Sequence, residues 1–136
     1  MVWGIMKRFF IYLWEAPQRL LALAVRAAVK KEIVRTETVA VPRDGSATVY
    51  RIPGFTGLSL GGSIFVSDKC SADTLRHEIG HSVQSRMLGW FYLLVIGLPS
   101  LIGNIYNRAK KKGSKWYYSQ PWEAWADRLG GVQRGF

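Results

Sequence analysis

His77-Glu78-Ile79-Gly80-His81 is the stretch on which the reading of this chain turns. On a helix, residues i and i+4 lie one turn apart on one face, so the two imidazoles can share one metal ion. Zinc accepts neutral nitrogen ligands in tetrahedral geometry. Glu78, beside the first histidine, is placed to take a proton from a metal-activated water and pass it to a leaving amine. A catalytic zinc needs a third protein ligand and an open fourth position. The chain holds two histidines, so the third ligand is expected to be a carboxylate. Downstream of the motif the only acids are Glu123 and Asp127, four apart on a helix expected over 121–129. One can bind metal; the other can accept the free N–H of a ligating histidine and fix its tautomer. Cys70, seven residues before His77, is a further candidate ligand, although a lone cysteine reads more simply as a buried thiol.

The 136 residues suit one domain with a single core. Apolar residues make up 49% and charged residues 21%, which argues against disorder. One cysteine excludes a disulfide scaffold within the chain. The net charge of +10 is confined to the flanks: residues 1–35 and 107–136 each carry seven basic and two acidic side chains, and the middle is neutral. Nucleic acid and an anionic membrane both attract such flanks. Here they adjoin long apolar stretches and no nucleic-acid-binding motif is present, so a membrane surface is the expected partner and nucleic acid is not.

Residues 1–33 read as a helical arm rich in Trp3, Phe9, Phe10, Tyr12 and Trp14, with Pro17 opening a second helix. It fits neither a secretory signal nor a single span, because Glu15, Pro17 and Arg19 interrupt it. It reads as an interfacial anchor, an inhibitory segment or an arm packed on the core. Residues 34–136 form the expected second region. Strands are expected over 34–41, 47–52 and 63–67, with a turn at Asp44-Gly45 and a glycine-punctuated loop over 53–62. Ser71 or Asp73 caps the motif helix. Residues 87–107 are uncharged, broken at Gly97 and Pro99, and a basic loop over 108–115 follows.

The HExxH motif followed by Glu123-Ala124-Trp125-Ala126-Asp127 resembles the gluzincin class of zinc metallopeptidases, the thermolysin-like group, in its minimal single-domain form. The likeness covers roughly residues 63–130. It implies an α+β, zincin-like core: a small sheet, the HExxH helix and a C-terminal helix bearing the glutamate. It implies Zn²⁺ held by His77, His81 and Glu123, with Glu78 as general base and Asp127 orienting His77. It also implies that the strand 63–67 is the edge that pairs with an extended peptide substrate. Two departures stand out: the 42-residue interval from His81 to Glu123, and no large C-terminal domain in this sequence. Residues 57–131 also resemble small uncharacterised bacterial membrane-linked proteins with the same HExxH, Leu-Pro-Ser and Leu-Gly-Gly elements. Tyr117 and Tyr118 are the candidates for stabilising an oxyanion, with Tyr106 and Arg128 as further ones.

Geometry ties the apolar run to the site. A straight helix over 87–107 would be about 30 Å long and would carry His81 and Glu123 to opposite faces of a bilayer. Both must lie within about 2 Å of one ion. So the run is expected to fold back as a hairpin if Glu123 is the ligand. If it spans, the chain is instead an intramembrane protease with Asp127 as ligand. The expected function is zinc-dependent peptide-bond hydrolysis on the cytoplasmic face of a membrane, and the other alternative is a non-catalytic membrane-associated zinc-binding adaptor.

Overall fold

The computed structural model describes residues 1–43 and 45–135. Asp44 of the expected turn lies outside the described residues.

The arm forms two helices, α1 (Val2–Trp14) and α2 (Ala16–Val29). They break at Glu15, and Pro17 sits in the first turn of α2, where a missing N–H costs nothing. A 3₁₀ turn, Lys30–Glu32, leads into four strands: β1 (Arg35–Val41), β2 (Gly45–Arg51), β3 (Gly57–Leu60) and β4 (Ser63–Val66). The sheet order is β1-β2-β4-β3. Neighbours are antiparallel except β2 and β4, which run parallel with Val49 opposite Ile64.

Alternation along the strands divides the core into two layers. Val41, Ala47, Val49, Ile64 and Val66 face the motif helix, α3 (Ala72–Leu88), through Val83. Tyr50, Ile52, Leu60 and Phe65 face α2 through Ala22. The sheet is thus covered by a helix on each face, and the architecture is α+β.

Two expectations need correction. The strand 63–67 is not an edge: β4 lies between β2 and β3, and Ile64, Phe65 and Val66 are fully buried. A short run apolar on both faces is what a central strand requires. The edges are β1 and β3, and β3 lies within the stretch read as loop. Its glycines serve a hairpin: Gly61, at φ +62, takes the first turn position before Gly62.

The second correction concerns the apolar run. It does turn back, but not at Gly97 and Pro99. Helical segments Ala72–Phe91 and Leu93–Lys110 meet at 118°. The break between them falls at Tyr92, three residues after Gly89, where α3 ends; the φ of Gly89 is +56 and its Cα lies under the Trp14 ring, where a β-carbon would overlap. Gly97 closes a π-helical turn, Leu93–Gly97, and Pro99 sits in the first turn of α4 (Leu98–Lys110). Arg108 and Lys110 therefore finish a helix rather than open a loop. Two further helices follow, α5 (Ser114–Ser119) and α6 (Pro121–Gly130). Among the described residues no single helix is long and apolar enough to cross a membrane.

The arm is fastened to α3 by buried polar groups. Ser85 Oγ donates to Glu15 Oε1 at 2.6 Å, and Gln18 Nε2 donates to Ser85 Oγ and the Gly89 carbonyl at 3.0 and 2.8 Å. Arg19 pairs with the other Glu15 oxygen at 3.0 Å. Glu15 and Gln18 are almost wholly buried. Trp14 and Trp90 add indole bonds to the Arg86 and Leu13 carbonyls.

Ser85→Ala removes the hydroxyl that serves both Glu15 and Gln18. A buried group losing a charge-assisted partner costs about 1–3 kcal/mol. Urea denaturation is expected to show a lowered midpoint, with amide exchange in residues 2–29 accelerated before the rest.

Candidate metal centre

The site rests on the close crossing of α3 and α6. At Gly80 a β-carbon would overlap the Ala126 carbonyl, and at Gly130 it would overlap the Arg76 carbonyl. Glycine at both points lets the backbones touch. Glu123, in the first turn of α6, then lies between the two histidines of α3.

The distances define the centre. Glu123 Oε2 is 2.9 Å from His77 Nε2 and 3.1 Å from His81 Nε2. The ligand atoms of the three residues all lie within 4.8 Å of one another, and all three residues are buried. Ligands about 2.0–2.1 Å from a tetrahedral ion lie roughly 3.3 Å apart, so little movement would admit one.

The outer ring nitrogens decide what the inner ones present. His77 Nδ1 donates to Asp127 Oδ1 at 2.8 Å. His81 Nδ1 donates to Gln84 Oε1 at 2.6 Å, and Gln84 Nε2 donates to the Trp122 carbonyl at 2.9 Å, which fixes the amide's orientation. With both protons outside, two lone pairs and a carboxylate oxygen face one another. A proton or a metal cation has to sit among them. In the metal-free chain a proton meets that need: burial opposes charge on His81, but the bond to Glu123 and the nearby carboxylates outweigh it and raise its pKa to about 9. Burial likewise works against charge on Glu123, and the neighbouring histidines and the Ser100 hydroxyl overcome it, holding the carboxyl well below its usual range.

Glu78 lies beside this group and is not part of it. Burial pushes its pKa up, opposed by the two histidines. Its Oε2 is buried with no hydrogen-bond partner among the described residues. Its Oε1 lies against Gly57 of β3, where a β-carbon would collide with it. A buried carboxylate oxygen left open beside three convergent ligands fits a site that takes a metal and a water.

A cleft of about 350 Å³ opens next to these residues, between β3 and α4. Gly57, Leu58, Ser100, Leu101, Ile105 and Tyr117 line it. The Tyr117 hydroxyl lies 3.1 Å from Ser100 Oγ, and Ser100 donates to Glu123 Oε1. Tyr118 has another position: its ring edge packs on His77, with centroids 5.1 Å apart, and Arg134 stacks on its face at 3.5 Å. Tyr106 packs on Trp116 at the surface, and exposed Arg128 lines a separate hollow with Trp122 and Trp125. Cys70 accepts a hydrogen bond from Arg51 at 3.1 Å and packs on the sheet core, apart from the metal cluster.

Three participants escaped the sequence reading. Gln84 stands three residues after His81 on the same helix face, and that spacing could have shown it. Ser100 lies in an apolar run and carries no local signal. Arg134, which binds both Asp127 oxygens at 2.9 and 3.0 Å, follows a helix-ending Gly131 that turns it back.

Comparison with protein-family models, curated proteins and solved structures finds no match to this chain.

Elemental analysis of the full chain, supplied with Zn²⁺ and dialysed, is expected to give one metal per chain, lost in Glu123→Ala. Gln84→Ala leaves His81 free to rotate and change tautomer. Its metal affinity, measured by chelator competition, is expected to fall by about 10–100-fold.

Proposed function

We propose that the chain is a zinc-dependent peptidase of the gluzincin type, with a minimal zincin-like core, working at a membrane surface. The observation that carries the reading is Glu78: an unsatisfied buried carboxylate between a cluster of three ligands and the free edge of β3.

His77, His81 and Glu123 would hold the ion. Two imidazoles and a carboxylate suit Zn²⁺ better than the harder Mg²⁺ or Ca²⁺, which prefer all-oxygen sites. Zinc bound there would polarise a peptide carbonyl and acidify a water. Glu78 takes that water's proton on its open oxygen. It holds the proton until the leaving amine accepts it. Asp127 and Gln84 keep both histidines in the ligating tautomer. Tyr117, its hydroxyl kept protonated by burial, donates toward the developing oxyanion from the cleft wall. Tyr118 acts as a buttress for His77.

The substrate is an extended peptide. The two-residue turn at Gly61-Gly62 makes Leu60 and Leu58 the ladder-bonded residues of β3, so Gly57 and Ser59 turn their backbone groups to the open edge. The Ser59 carbonyl accepts the Tyr92 hydroxyl at 2.8 Å, in keeping with this register. That leaves Gly57, directly over Glu78, as the position where a substrate strand pairs.

The exposed side chains support the membrane setting. Trp3, Phe9 and Phe10 of α1 are 63–77% exposed, as are Trp90, Phe91 and Leu94 at the bend at 59–65% and Leu101, Ile102 and Ile105 of α4 at 56–59%. The Trp90 indole bonds the last turn of α1, so the arm and the bend adjoin. Apolar area on this scale is beyond what isolated surface residues account for. Lys7, Arg8, Arg108 and Lys110 flank it, as an anionic surface requires.

Two variants test the mechanism on a quenched peptide library. Glu78→Gln is expected to lose about 10²–10⁴-fold in kcat while keeping its metal. Activity persisting in that variant would refute the assignment, and metal without hydrolysis in wild type would support the adaptor instead. Tyr117→Phe is expected to lower kcat on the order of 10²-fold with little change in KM.

A further inference from the structure

A second polar hollow, of about 490 Å³, lies where the arm meets the sheet, and the metal centre does not use it. Arg8 of α1, Arg19 of α2 and Arg86 of α3 all line it, with Ser46 and Thr48 of β2 and with Gly45 and Gly62. No acidic side chain lines it among the described residues.

Arg19 is held in place, and it and Arg86 each keep an unmet donor. Arg19 is anchored by Glu15 and lies over the Tyr12 ring at 4.4 Å, which orients the guanidinium plane. Its Nε, and the Nε of Arg86, are buried without hydrogen-bond partners among the described residues. Leaving such donors unmet inside a protein costs energy unless something else meets them. Two glycines make the room. At Gly45 a β-carbon would overlap the Arg86 guanidinium, and at Gly62 it would crowd Arg19 Nη1 and Nη2 at 3.3 Å.

We infer that the hollow framed by Arg8, Arg19 and Arg86 binds a phosphate group. Three guanidinium forks from three helices, with two hydroxyls, suit a tetrahedral anion better than a planar carboxylate, which two forks saturate. The phosphate comes from a phospholipid headgroup or from solution. The exposed apolar side of α1, one turn from Arg8, would bring a headgroup to this place. None of these residues touches the metal centre, so the inference stands apart from the hydrolytic reading.

The full chain, in non-ionic detergent, is titrated with inorganic phosphate by calorimetry and, after detergent removal, bound to phosphatidylglycerol and phosphatidylcholine vesicles. Wild type is expected to bind at least one probe saturably. Arg86→Gln is expected to weaken that binding about tenfold or more, the loss of one charge-assisted fork. Lys69→Gln, the same charge change at an exposed site, is expected to leave it unaltered. Arg8→Gln, on an exposed helix, repeats the test if Arg86→Gln fails to fold. Phosphatidylglycerol binding that resists excess inorganic phosphate identifies a lipid headgroup; binding displaced by it identifies free phosphate. No saturable binding to either probe, or equal losses in Lys69→Gln and the folded arginine variant, would overturn the site. Metal content, unchanged throughout, separates this outcome from failure of the zinc centre.

Discussion

The contact of α3 with α6 at Gly80 and Gly130 is the constraint on which the structure depends. Two backbones meet there with no side chain between them. That contact sets the height of Glu123 against the two imidazoles, and a shift of one residue in either helix would turn it away. The three candidate ligands are therefore placed twice over, once by the histidine spacing and once by glycine packing. Gly80 inside the HExxH motif belongs to the second of these. Any larger residue there would force the helices apart and open the centre.

α3 is also unusual in what it buries. His77, Glu78, His81, Ser82, Gln84 and Ser85 are all shielded from solvent. A helix this polar is stable inside a protein only if its groups are matched. Asp127 and Glu123 serve His77, Gln84 and Glu123 serve His81, Ser59 serves Ser82 at 2.8 Å, and Glu15 serves Ser85. Two side-chain atoms of α3 are buried without a hydrogen-bond partner among the described residues, Glu78 Oε2 and Arg86 Nε, and of these Glu78 is the one beside the histidines.

The legible parts of this chain were those governed by local spacing. The i, i+4 rule located His77 and His81, and the same interval put Glu123 and Asp127 on one face of α6. The N-terminal arm, the β1–β2 pair and the motif helix followed from hydrophobic pattern and caps. What stayed hidden depended on contacts far apart in sequence. β3 could not be seen because its glycines mimic a loop, while their cause is the Glu78 carboxylate and a tight turn. The bend after Gly89 could not be placed because the partner of that glycine is Trp14, seventy-five residues earlier. Gly97 and Pro99 drew attention as breakers, yet proline in a first turn begins a helix as readily as it ends one. Ser100 needed the folded chain to bring it to Glu123.

The fastening of the arm carries a consequence for synthesis. Glu15, Gln18, Trp14 and Leu13 find their partners in Ser85, Arg86, Gly89 and Trp90, 67 to 77 positions later. At about 5–20 residues per second, the arm leaves the ribosome roughly 3–15 s before its docking groups exist. Through that interval the Trp14 indole, the Glu15 carboxylate and the Gln18 amide lack the partners that the fold gives them. A nascent chain in this condition is a client for a chaperone or for the nearest bilayer. Docking of the arm therefore follows synthesis of the end of α3.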